Sequence, residues 1–280
     1  MSTFAWCTDI HLDFIDDDQI VKFGESIVNA GFDGVLITGD ISISTELIYH
    51  LSVLERVINK QIFFVLGNHD YYGGSIPVIR QKMKELSNMS SYLRYLETVP
   101  YVKINNSTAI VGHDGWYDAL NGNAQHSRFI MSDWIRIAEF APHAKKVVGM
   151  YGSEYDINKK EVISVAQKLA HDGVMHVMNG IKAAARTHKN IIILTHFPPF
   201  KESHVHMGKI GDDDAQPWYT SKMMGDMLLD ASKAYPDHQF TILCGHTHGK
   251  HSSRVTNNLT VHVGGADYGK PTVQMPVTIV

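Results

Sequence analysis

Residues 61–70 read QIFFVLGNHD: a β-rich run from Gln61 to Leu66 ends abruptly in Gly67-Asn68-His69-Asp70. A short apolar run rich in aromatic and β-branched residues and closed by glycine predicts a buried strand. The same figure recurs along the chain. Thr3 to Thr8 runs into Asp9-Ile10-His11, Gly34 to Thr38 into Gly39-Asp40, and Gln239 to Leu243 into Gly245-His246-Thr247-His248, while Asn190 to Thr195 ends at His196. Ligands of open α/β sheets bind in the crevice beyond the carboxyl ends of strands, so five such endings can converge on one place.

Helical segments separate the first three strands, which is the pattern of an α/β fold. The spacing predicts a helix from Gln19 to Ala30, started by Asp16-Asp17-Asp18 and stopped by Gly31. A second runs from about Thr45 to Asn59, and a third, opened by Ser75 and Pro77, to about Leu86. The rhythm then changes. Asn105-Asn106, between Tyr101 to Ile104 and Ser107 to Val111, predicts an antiparallel hairpin. Residues 115–189 hold aromatic loops and a long helical pattern from Asn158 to about Thr187, and read as a helical cap or insertion. A loop from Phe197 to Pro217 leads into a helix from about Tyr219 to Ala234, whose Met223, Met224 and Met227 have the spacing of core residues. Arg254-Val255, Leu259 to Val263 and Thr272 to Val280 read as β-hairpin material. With no repeat or linker in sight, residues 1–280 are expected to form a single domain.

Asp, Asn and His at the strand ends supply hard oxygen and borderline nitrogen donors suited to Mn, Fe and Zn. Each motif alone is weak, because Asp-x-His and Gly-Asp after a strand are common as turns and caps. Their joint occurrence, in this order, points to a metal site.

The bulk composition narrows the class. The chain is 280 residues long, 44% hydrophobic and 19% charged, with a formal net charge of −4, so a polymeric nucleic acid is not expected as a partner, for want of clustered Lys and Arg. A small anionic substrate stays open, since local metal charge outweighs the global sign. The start, MSTFAWCTDIH, lacks the basic and apolar regions of a signal peptide, and no stretch approaches the roughly 18 unbroken apolar residues of a membrane span. Cys7 and Cys244 are too few for a disulfide scaffold and read as buried thiols in a reducing cytoplasm.

Taken together, Asp-x-His, Gly-Asp, Gly-Asn-His-Asp, a lone His and Gly-His-x-His, spanning residues 9 to 248, resemble the calcineurin-like metallophosphoesterases. The resemblance implies an α/β fold, a four-layer β-sandwich of two mixed sheets flanked by helices. It implies that Asp9, His11 and His248 hold one metal ion, that Asn68, His196 and His246 hold another, and that Asp40 bridges them. It makes His69 the general acid, with Asp70 orienting its ring. Electrostatics agree: two divalent ions against two carboxylates leave a net positive site that attracts a phosphate oxyanion. Two ions about 3.5 to 4 Å apart can hold a hydroxide between them for in-line attack on phosphorus.

Departures from the family's better-known branches favour a diester. Protein Ser/Thr phosphatases follow Gly-Asp with a Val-Asp-Arg-Gly type run whose arginine grips a phosphomonoester, whereas this chain has Ile41-Ser42-Ile43-Ser44 after Gly39-Asp40. The expected function is hydrolysis of a small phosphodiester or phosphomonoester, a cyclic nucleotide being one specific case. A DNA nuclease and a non-catalytic scaffold of the same fold are the alternatives.

Other polar and aromatic residues fall between the motifs. His204 and His206 read as a solvated loop, Asp212-Asp213-Asp214 as a solvated charge run, and Tyr71, Tyr72, Trp116 and Tyr117 as packing near the metal motifs. His113-Asp114 follows a strand and is open to either a role behind the ligands or turn chemistry.

Overall fold

The computed structural model describes residues 1–149, 152–206 and 208–279. Met150 and Tyr151 of the expected insertion, Met207 of the loop after Phe197, and Val280 of the last expected strand lie outside the described residues.

Alternation of side chains along each strand sorts the interior into layers. In Ser2–Cys7, Phe4 and Trp6 face the second sheet, while Ala5 and Cys7 face helices. The inner face of the first sheet (Trp6, Leu36, Phe63, Val65) packs on that of the second (Ile110, Ile192, Leu194, Leu243). Ile20, Leu51 and Met83, from the helices Asp17–Asn29, Leu47–Ile58 and Ile76–Met89, cover the outer face of the first sheet. Val177 and Ile181 of Lys159–Ala184, and Met224 and Leu228 of Lys222–Ala234, cover the outer face of the second. The result is the expected four-layer α/β sandwich. Helices on the outer faces explain why the central strands are apolar on both sides instead of alternating with polar residues.

The first sheet runs Val273–Ile279, Ser2–Cys7, Gly34–Thr38, Gln61–Val65, Leu93–Tyr95, antiparallel only at its Val273–Ile279 edge. The second runs His251–Thr256, Leu259–Val263, Gln239–Cys244, Asn190–Leu194, Thr108–Gly112, Val102–Lys103, parallel in the middle and antiparallel at both edges. Both sheets are mixed. The expected hairpin at Asn105-Asn106 forms, as does one joining His251–Thr256 to Leu259–Val263, but the last strand leaves its neighbours to pair with Ser2–Cys7 in the other sheet.

Within 115–189, the N-terminal half of Lys159–Ala184 packs Val162, Ala166 and Ala170 into the cluster of Trp116, Trp134 and Phe140, and its C-terminal half is a layer of the sandwich. The same stretch contains a two-stranded ribbon, Ala144–Gly149 with Gly152–Ile157, which the sequence pattern did not announce. No helix among the described residues is long and apolar enough to cross a membrane.

Candidate metal centre

Strand pairing continues past the last regular residues into the polar tips. The Asp9 and His11 N–H groups donate to the carbonyls of Gly39 and Asp40, both at 3.0 Å, and in the second sheet Gly245 N–H donates to His196 C=O at 2.9 Å. The two sheets are joined here: Asp9 Oδ1 accepts the His246 N–H at 3.0 Å.

Seven non-glycine residues among those described have positive φ, and five are strand-tip candidates: Asp9 (49°), His11 (40°), Asp40 (51°), His246 (69°) and His248 (56°). Such backbone costs on the order of 1 kcal/mol or more per residue and persists where surrounding contacts over-determine it. Two of the adjacent glycines are dictated by space. A Cβ on Gly67 would stand 2.2 Å from Asp40 Oδ1, and one on Gly245 would stand 2.0 Å from Asp9 Oδ2.

The convergence expected from the strand tips is present. Donor atoms of Asp9, His11, Asp40 and His248 all lie within 4.8 Å of one another. His11 Nε2 is 3.2 Å from His248 Nε2, which is 3.4 Å from Asp9 Oδ1. In a second group, Asn68 Oδ1 is 3.1 Å from both His196 Nε2 and His246 Nδ1. Asp40 stands between the groups, its Oδ1 3.4 Å from His196 Nε2 and its Oδ2 3.8 Å from His11 Nε2.

Backbone carbonyls select the tautomers. A carbonyl only accepts, so His196 Nδ1–H donates to Thr38 C=O at 2.8 Å and turns Nε2 toward Asn68 and Asp40. His246 Nε2–H donates to Trp218 C=O at 3.3 Å and leaves Nδ1 inward. Burial brings His11 down to about 4 and holds His246 well below the ordinary imidazole value, so both rings are neutral donors. Burial opposes a charged Asp40, but His196, His69 and His11 override it and hold the carboxyl well below its usual range. Burial likewise opposes a charged His196, and Asp40 overrides it, pushing that imidazole up to about 10.

This donor set fits a pair of cations. Atoms bound to one ion at roughly 2.1 Å stand about 3.0–3.4 Å apart in tetrahedral or octahedral geometry. The separations above cluster in that range, and the chemistry is the N/O mixture that borderline divalent ions take.

His69 faces the same space, with Nε2 4.0 Å from Asp40 Oδ2 and the Tyr72 ring 4.3 Å away. Asp70 departs from its expected place beside the His69 ring. Its Oδ1 accepts the N–H groups of Ile41 and Ser42, each at 2.9 Å, and its Oδ2 accepts that of Gly67 at 2.8 Å. Fully buried, Asp70 ties the Asp40 loop to the Asn68 loop; three amide donors compete better for a carboxylate than one adjacent ring.

Asp114 performs a similar task from behind. It accepts Leu66 N–H at 2.7 Å on Oδ1 and Arg80 Nε–H at 3.1 Å and the Tyr95 hydroxyl at 2.8 Å on Oδ2, and its carbonyl accepts His196 N–H at 3.0 Å. His113 Nδ1 instead closes a turn, accepting Gly115 N–H at 3.0 Å. Trp116 and Tyr117 pack as expected, and the Tyr71 hydroxyl binds Asp114.

His204 is not solvated: only 4% exposed, it stacks on Tyr219 at 4.6 Å, and Tyr219 in turn lies 4.9 Å from His246. His206 is exposed. Asp212 Oδ1 accepts the N–H groups of Asp214 (3.1 Å) and Ala215 (3.0 Å), a turn role for the acidic run. Sequence reasoning missed Asp133, which accepts a hydrogen bond from Asn68 Nδ2 at 2.8 Å. It sits in the motif-free 115–189 stretch, where no periodicity marks it.

At the donors opens a cleft of about 690 Å³, whose lining includes Tyr72, Phe129, Met131, Lys209, Tyr219 and Tyr268.

Comparison with known proteins bears on the family and the fold. The family model described as calcineurin-like phosphoesterase matches residues 2–250. An uncharacterised protein of Acanthamoeba polyphaga mimivirus, L509, is 23% identical over 89% of this chain and 85% of its own length. Among solved structures, the phosphopantetheinyl hydrolase PptH of Mycobacterium tuberculosis aligns with a TM-score of 0.64 at 12% identity, over 94% of this chain and 89% of that one. A dimetal phosphatase of Danio rerio aligns with a TM-score of 0.54 at 12% identity, over 94% and 87%.

Proposed function

The chain belongs to the calcineurin-like phosphoesterase family, and from that membership we propose that it is a binuclear-metal hydrolase whose preferred substrate is a small phosphodiester. The observation that carries the reading is Asp40, whose two oxygens face two separate donor groups. Asp9, His11 and His248 would hold one cation with Asp40, and Asn68, His196 and His246 the other. Mn, Fe or Zn bound there supplies Lewis-acid activation of water and neutralises charge on the phosphoryl oxygens.

The remaining steps fall to side chains. His69, 18% exposed at the cleft floor, gives the proton on Nε2 to the leaving oxygen; the Tyr72 ring holds its plane. Asp70 keeps the Asp40 and Asn68 loops at fixed separation through three amide bonds. A diester is favoured because the described residues lining the cleft include no arginine; Lys209 and His206 are point donors without the fork that suits a monoester dianion. A cyclic nucleotide is a specific case. A reducing cytoplasm is the compartment in keeping with Cys7 and Cys244, both buried and unpaired.

The test is turnover by Mn-loaded protein on bis-p-nitrophenyl phosphate, p-nitrophenyl phosphate, cyclic nucleotides, a phosphopantetheinyl ester, and single-stranded and duplex DNA. A higher kcat/KM on the diester than on the monoester is expected. The reverse order overturns the diester preference, DNA digestion alone makes the protein a nuclease, and full metal loading without turnover on any substrate overturns the hydrolase reading.

A further inference from the structure

We infer that Asp133 is a positioning residue for the Asn68 half of the site: its carboxylate turns the Asn68 amide so that Oδ1, and not Nδ2, faces His196 and His246. The inference rests on the two-cation reading above. The two ends of an amide have nearly the same shape, so packing alone does not decide which end points inward; only hydrogen-bond partners distinguish them. Asn68 Nδ2 donates 2.8 Å to Asp133 Oδ1 and 3.1 Å to the Tyr72 hydroxyl, while Oδ1 sits 3.1 Å from each imidazole nitrogen. The Tyr72 hydroxyl spends its own proton on Asp133 Oδ1 at 2.7 Å, so it too presents a lone pair to the amide. One carboxylate oxygen therefore orders the whole triad and commits Asn68 to offering its carbonyl inward.

The position is costly for an acid. Asp133 is fully buried, its Oδ2 has no partner, and among the described residues no Lys or Arg pairs with it. A buried carboxyl with one oxygen unused is a poor packing element, and an apolar residue of the same size would fill the space better. Its place in the chain also matters. Asp133 opens the short helix Asp133–Arg136, inside the stretch that carries no motif, and Arg136 lies 4.4 Å over the Tyr72 ring, so the segment grips the Asn68 loop at two points.

The test is Mn(II) binding by calorimetry and electron paramagnetic resonance. With two equivalents of Mn(II), wild type is expected to give an exchange-coupled dinuclear signal. Asp133→Leu, and Asp133→Ala as a second truncation, should bind the second ion about 10–100-fold more weakly and show mononuclear signal, as for lost outer partners of metal ligands. Asp133→Asn keeps an acceptor at Oδ1 and should recover to within threefold; a purely electrostatic role would leave it as weak as the truncations. Tyr72→Phe keeps Asp133 and should also bind within threefold, with circular dichroism reporting folding of every variant. Second-ion binding unchanged in a folded Leu or Ala variant, no recovery in Asn, or a tenfold loss in Tyr72→Phe overturns the assignment. Wild type that takes fewer than two ions overturns the two-cation reading itself, a separate outcome.

Discussion

Asp40 Oδ1, at the tip of the first sheet, lies 3.4 Å from Nε2 of His196, at the tip of the second, with His11 on its other oxygen at 3.8 Å. One carboxylate thus joins the donors of both sheets. Asp40→Asn is expected to lower turnover on bis-p-nitrophenyl phosphate by about 100-fold or more, since several kcal/mol of transition-state stabilisation depend on both cations. Metal analysis after gel filtration should find fewer than two ions per chain. Full loading with undiminished turnover would remove Asp40 from the centre.

His69 should separate chemistry from metal binding. His69→Gln is expected to keep wild-type metal content while kcat falls about 10²–10⁴-fold on an alkyl diester, the usual span for general acid–base groups. The loss should be smaller on p-nitrophenyl esters, whose leaving group departs without a proton. Equal losses on both substrates would argue against proton donation at this residue.

Asp70→Ala removes three amide bonds between two loops and leaves their N–H groups buried. A cost of roughly 3 kcal/mol or more is expected, which for a domain of this size lowers Tm by about 6 °C or more. The Asp70 variant should therefore lose stability along with activity, where the His69 variant loses activity alone. A wild-type Tm in thermal melts would contradict the strapping role.

Acid stability should report His113. Burial, reinforced by Arg80, pushes its imidazole down to about 3, while Asp114 opposes the shift, and Nδ1 is already an acceptor for Gly115 N–H. Glu97 Oε2, 3.7 Å from Nε2, and the His176 ring, at 5.4 Å, complete its surroundings. An unfolded histidine titrates near 6.5, so below that pH the unfolded chain takes a proton that the folded chain refuses. Stability is then lost as pH falls from about 6.5 toward 3, at roughly 1.4 kcal/mol per unit. His113→Gln cannot take this proton. Its stability deficit against wild type in urea melts should shrink by about 2 kcal/mol between pH 7 and pH 5, and a constant deficit would mean that His113 takes up its proton as readily in the fold as in the unfolded chain.

Four of the five strand tips were legible because two local signals coincide there: an apolar run that reads as a strand, and a glycine or Asp-x-His that ends it; His196 follows its strand with neither. The roles around them were less so. Asp70 follows His69 in the chain, which made the ring its natural partner; in the fold, backbone amides of Ile41, Ser42 and Gly67 stand within 2.9 Å of its oxygens. Asp133 works through a single oxygen that meets Asn68 from a segment distant in the chain, and nothing in its neighbours distinguishes it from a helix-opening acid. His204 looked like a loop residue because its flanks are polar; in the fold Tyr219, from another element, lies flat against it and Gly211 packs close to its ring.

By itself, then, the sequence determined the run of strands and helices and the kinds of atoms offered at the strand ends, since apolar runs and helical spacing are written locally, while the layered sandwich was implied only by the family resemblance. Where Val273–Ile279 pairs, and which donors stand within 4 Å of Asp40, belonged to the tertiary structure. Such positions follow from how two sheets stack through Trp6, Phe63, Ile192 and Leu243, contacts between segments far apart in the chain that no local pattern encodes.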